Sequence, residues 1–90
     1  MFTSKFVYVM NSSNSSLTKC IIWFYDGNIR TFYSFDKSHA KAKPNKALGI
    51  RRLTKMINQT FKGKYETAII YGNLGNGVEI AKYKHGVRVL

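Results

Sequence analysis

The sequence predicts an α+β domain of two layers. One amphipathic helix lies on a curved antiparallel sheet of five or six strands, in the order β-β-β-α-β-β, with or without a short last β. Three observations carry this. Asp26-Gly27-Asn28 joins two aromatic, β-branched runs, the strongest short-range hairpin signal a sequence offers. After the only proline, Pro44, apolar residues recur at spacings of three and four, the period of a helix face. Beyond Gly63 the chain returns to short strand-like runs broken by glycine-rich turns. A chain of 90 residues holds one core, so residues 1–90 are read as one domain.

The first strand is read at residues 5–10 (Lys-Phe-Val-Tyr-Val-Met) and is followed by the Ser/Asn loop 11–16. Residues 20–25 and 29–35 form the hairpin, where Gly27 supplies the positive φ of a tight turn. Residues 36–45 lose all hydrophobicity and read as a connector. The helix runs over about residues 45–62. Leu48, Ile50, Leu53, Met56, Ile57, Thr60 and Phe61 face inward, Lys46, Arg51, Arg52, Lys55, Asn58, Gln59 and Lys62 face outward, and Gly63 ends it. Residues 65–71 and 78–83 are the next strands, joined by the turn 72–77. Lys84-His85-Gly86 turns the chain back into a last strand at 87–90. Short connections make neighbours pair antiparallel. A helix of that length spans roughly 25 Å and covers one sheet face only. Both parities of the early strands carry aromatics, so the second face either curls into a half barrel or meets a partner. An open face or edge of this kind also leaves room for an oligomer.

Fifteen Lys and Arg against four Asp and Glu give a net charge of +11. A 44% hydrophobic, 14% aromatic composition makes that charge the surface of a packed domain, not of a disordered tail. Such a surface attracts polyanions. From Lys37 to Lys64 the chain carries nine cations and no carboxylate, so these charges have no local partners. Lys37, Lys41, Lys43, Lys46, Arg51, Arg52 and Lys55 are the expected phosphate contacts. Lysine makes up eleven of the fifteen cations, which suits backbone contact over base reading. Tyr8, Trp23, Tyr25 and Tyr33 are the expected stacking residues, because a phenol or indole keeps a polar edge for water when no base covers it. Phe24 and Phe35 are assigned to the core.

No run approaches the roughly 18 apolar residues of a membrane span, and the first residues lack a secretory pattern, so a cytoplasmic protein without a membrane partner is expected. His39 and His85 stand far apart without neighbouring carboxylates, and Cys20 is alone, so no metal site, cofactor or catalytic group is assigned. Gly72-Asn-Leu-Gly-Asn-Gly77 lacks the Gly-Lys-Ser/Thr of a phosphate loop and reads as a β-turn. In outline the pattern resembles the Pur-type single-stranded nucleic-acid binders, although the helix there follows four strands and here three. That resemblance covers topology and no motif, so it assigns no residue. The expected function is nucleic-acid binding (single-stranded DNA or RNA, or DNA backbone) without catalysis. The alternative is a phage-type host-modulating protein that binds and inhibits an acidic host protein, which would use the same charge. A small ribonuclease relying on His39 or His85 is the third reading.

Overall fold

The computed structural model describes residues 16–73 and 77–90. The strand expected at 5–10, the stacking candidate Tyr8, nearly all of the loop 11–16 and the centre of the turn 72–77 lie outside the described residues. Within them the protein is α+β, with one helix against an open five-stranded antiparallel sheet. The strands are β1 (Thr18–Phe24), β2 (Ile29–Tyr33), β3 (Tyr65–Gly72), β4 (Glu79–Lys84) and β5 (Val87–Arg88), in the spatial order β2-β1-β3-β4-β5. Every neighbouring pair is antiparallel. The helix joins β2 to β3 across β1, which lies between them in the sheet.

The hairpin forms where Asp-Gly places it. Phe24 N donates to Asn28 O at 2.8 Å, Gly27 N donates to Phe24 O at 3.1 Å, and Gly27 takes φ +93°. The Asp26 carboxylate accepts from Asn28 N and Nδ2 at 2.9 and 3.1 Å, which stiffens the tip. At the same end of the strands, toward the other edge of the sheet, His85 (φ +50°) and Gly86 (φ +84°) make the two-residue turn between β4 and β5. Two consecutive positive φ values match the right-handed twist of the strands they join.

The helix starts at a true cap, since Asn45 Oδ1 accepts from Leu48 N at 3.2 Å. It is not the uniform helix the spacing suggests. α1 spans Lys46–Lys55, and Met56–Thr60 then widens into a π-helical turn closed by Phe61 N donating to Met56 O at 3.1 Å. The poorer geometry of that turn is offset by contacts of Phe61, whose ring packs edge-on against Phe24 at 5.1 Å and tilted against Phe32 at 5.3 Å. Leu53 and Ile57 meet Cys20, Ile22, Phe32, Tyr65, Ala68, Ile70, Ala81 and Tyr83 in one core. Cys20 is 0% exposed there, and burial pushes its thiol up to about 12 against the opposing pull of the Ile69 backbone. It is a protonated, packed side chain at neutral pH, as its strand position suggests.

The connector 36–45 is not solvated at its start. Asp36, only 6% exposed, accepts from Leu17 N through Oδ2 (2.8 Å) and from Ser34 Oγ through Oδ1 (2.6 Å). Ser34 Oγ in turn accepts from Thr18 N at 3.2 Å, Ser16 Oγ donates to Ser34 O at 2.7 Å, and Asn45 N donates to Asp36 O at 2.8 Å. A buried carboxylate is tolerable only with such donors. This knot ties the start of β1, the segment after β2 and the helix cap together. Gly49 is buried against it, and a Cβ at that position would overlap Asp36 Oδ1 and Ser34.

Candidate nucleic-acid interface

The helix covers the sheet face that carries Cys20, Ile22 and Phe32, so its free side points away from the sheet. Lys41 and Lys43 on the connector and Lys46, Arg51 and Lys55 on the helix are all exposed. Arg51 and Lys55 are four residues apart, on one side of the helix. Like charges at that spacing cost about 0.2–0.5 kcal/mol, so helix stability does not account for the pair. Lys55 does suit the last turn, where the helix dipole favours a cation.

Two of the expected phosphate contacts differ. Arg52, expected on the free side with Arg51, is half-buried. One of its guanidinium nitrogens, Nη1, donates to Phe35 O and Lys37 O, each at 2.9 Å, and the group lies 5.2 Å from the centre of the Phe35 ring. It pins residues 35–37 onto the helix. Lys37 is itself half-buried beside that contact. Arg52→Ala is expected to lower stability by about 2 kcal/mol, because it leaves two carbonyls without their charged donor. Arg51→Ala should stay within about 0.5 kcal/mol of wild type. Chemical denaturation of the two variants side by side separates a structural arginine from a surface one.

The expected stacking residues separate as well. Trp23 and Tyr33 have the opposite parity to Ile22 and Phe32 and lie on the far face of the sheet, both half-buried, Trp23 opposite Ile29 and Tyr33 in line with Lys19 and Tyr71, with the Ile21 row between them. They are not brought together with the basic layer. Tyr25 meets one cation of the stretch 37–64, Lys64, through its backbone. It stands past the end of β1, 57% exposed, where its ring stacks on His85 at 5.8 Å and its hydroxyl shares a 2.5 Å hydrogen bond with His85 Nδ1.

Tyr25 forms part of a cleft of about 490 Å³ between the hairpin and the turn that follows the helix. Phe24, Phe32 and Phe61 give it an apolar floor, and Arg30 and Lys64 stand at its rim with Asp26 and Asn28. Tyr25 N donates to Lys64 O at 3.2 Å and holds the two walls together. Arg30 pairs with Ile22 across the ladder and shares the parity of Phe32, so it projects to the helix side of the sheet at the β2 edge. That parity is readable in the sequence, but the point at which the helix stops covering β2 is not.

His85 is engaged by Tyr25, and His39 is exposed on the connector. Among the described residues no three His, Cys, Asp or Glu side chains cluster as metal ligands, and no helix is long and apolar enough to cross a membrane. No protein-family model, curated protein or solved structure matches the chain. The outline resemblance to the Pur-type binders gains no support from these comparisons.

Proposed function

We propose that the protein binds nucleic acid through its phosphate backbone and does no chemistry on it. The observation that carries this is the exposed set Lys41, Lys43, Lys46, Arg51 and Lys55, spread over the connector and the free side of the helix within a stretch, 37–64, that holds no carboxylate. Cations without internal partners gain little for the fold and repel one another. A polyanion would release its counterions to them and so bind with a strong dependence on salt.

The test is a fluorescence-anisotropy titration against single-stranded DNA, duplex DNA and RNA. With four or five phosphates neutralised, affinity should fall by about two to three orders of magnitude between about 50 and 200 mM salt. Absence of binding at the lower salt for all three would turn the reading over in favour of an acidic protein partner, which the same surface would attract. Cleavage of RNA that His39→Ala or His85→Ala abolishes would instead make the protein a nuclease.

A further inference from the structure

The aromatic cleft at the end of the helix has no part in phosphate contact by the basic layer, yet its composition is specific. Its floor is three phenylalanine rings, its exposed wall is Tyr25, and its rim carries two cations, Arg30 and Lys64, from different elements. The one rim carboxylate, Asp26, is already occupied by Asn28 N and Nδ2. A volume of about 490 Å³ lies within the roughly 300–1,000 Å³ typical of small-ligand pockets. The ligand that fits is flat and apolar on its faces, with a negative charge at its edge.

We propose that this cleft takes one unpaired base of a single-stranded nucleic acid, with Tyr25 against the base and Arg30 and Lys64 on the adjoining phosphates. The inference rests on the nucleic-acid reading of the basic layer and gives that layer a strand preference. Tyr25 is ready for the role before any ligand arrives. Its stacking on His85 and the shared 2.5 Å hydrogen bond fix the ring, so a base meets an oriented surface and little side-chain freedom is left to lose. The turn that ends the helix contributes Phe61 and Lys64 to the cleft, and Lys55 precedes them on the free side of that helix. A strand tracked by the basic layer can therefore present a base at the cleft without leaving the cations. A duplex has its bases stacked and paired and cannot offer one.

A dinucleotide carrying 2-aminopurine, too short to cover the helix, tests the cleft directly, because stacking quenches its fluorescence. Saturable quenching is expected with the wild-type protein. It should weaken at least tenfold in Arg30→Glu/Lys64→Glu, and fall again in Tyr25→Ala. It should persist in Arg51→Glu/Lys55→Glu, which alters only the free side of the helix. Arg30→Gln/Lys64→Gln, which adds no negative charge, serves if the first pair disturbs folding. No quenching with the wild-type protein, or quenching untouched by the Arg30/Lys64 and Tyr25 variants, overturns the inference. If long duplexes bind with a steep salt dependence while the dinucleotide is not quenched, the cleft assignment fails and the backbone reading stands. If the dinucleotide is quenched in the cleft while no polymer binds, the cleft stands and the polymer reading fails.

Discussion

Gly49→Ala is expected to cost about 2–4 kcal/mol of stability, and Gly49→Leu to leave no cooperative unfolding transition. In an exposed helix the alanine would stabilise, since it is favoured over glycine by about 1 kcal/mol. Here the sign reverses, because the new Cβ would overlap Asp36 Oδ1 and crowd Ser34. Overpacking of this kind costs about 1–3 kcal/mol, and moving Asp36 away from Leu17 N and Ser34 Oγ adds about 1–3 kcal/mol for each buried donor or acceptor left unmade. A leucine must also displace the helix from the sheet, at a cost comparable with the roughly 5–15 kcal/mol that holds a small domain together. Denaturant titration followed by circular dichroism measures both. Gly63→Ala is the internal control: nothing lies within 4 Å of its Cβ position, and only its φ of +76° resists the change, so its loss should be near 1 kcal/mol. Equal losses at Gly49 and Gly63 would show that the knot around Asp36 can yield.

That contrast marks which parts of the fold are legible in the sequence. The hairpin is local: Asp26, Gly27 and Asn28 close a turn between runs whose β-branched and aromatic residues already favour strands. The helix from Asn45 and the turn at His85-Gly86 are equally local, set by a cap, by three-and-four spacing and by residues that accept positive φ. Asp36 is different. A charged residue after a strand reads as solvated, and only the convergence of Leu17 and Ser34 on its carboxylate gives it the donors that let it be buried. Arg52 likewise lies next to Arg51 in sequence, and its role becomes visible only when the carbonyls of Phe35 and Lys37 come within reach.

The candidate site divides along the same line. Exposed cations on a connector and a helix follow from charge and periodicity, so Lys41, Lys43, Lys46, Arg51 and Lys55 stand where they were expected. Aromatic residues carry no such signal, since a ring on a strand can face either the core or a ligand. Trp23 and Tyr33 fall on the sheet face away from the helix, whereas Phe24, Phe32 and Phe61 gather with Tyr25 at the cleft. What gathers them is the π-helical turn, which brings Phe61 against both Phe24 and Phe32. The regular three-and-four spacing of that stretch does not announce a π turn.

The triple variant Lys43→Glu/Arg51→Glu/Lys55→Glu should lower affinity for duplex and single strand alike by about 100-fold or more at about 100 mM salt, and reduce the log-log salt slope by about two to three units. Backbone contacts carry no base information, so the loss should be the same for every sequence tested. All three side chains are exposed, and the substitution leaves Arg51 and Lys55 replaced by another like-charged pair at the same spacing. Stability should therefore stay within about 1 kcal/mol of wild type, allowing for a glutamate placed unfavourably in the last turn of α1. Arg52→Ala should show the opposite profile, with reduced stability and a nearly unchanged slope, because its guanidinium is committed to Phe35 O and Lys37 O. A triple variant that binds every oligonucleotide as wild type does, with its slope intact, would move the phosphate contacts off the helix layer. The lysines of the far sheet face, Lys19, Lys82 and Lys84, would then be the next to reverse.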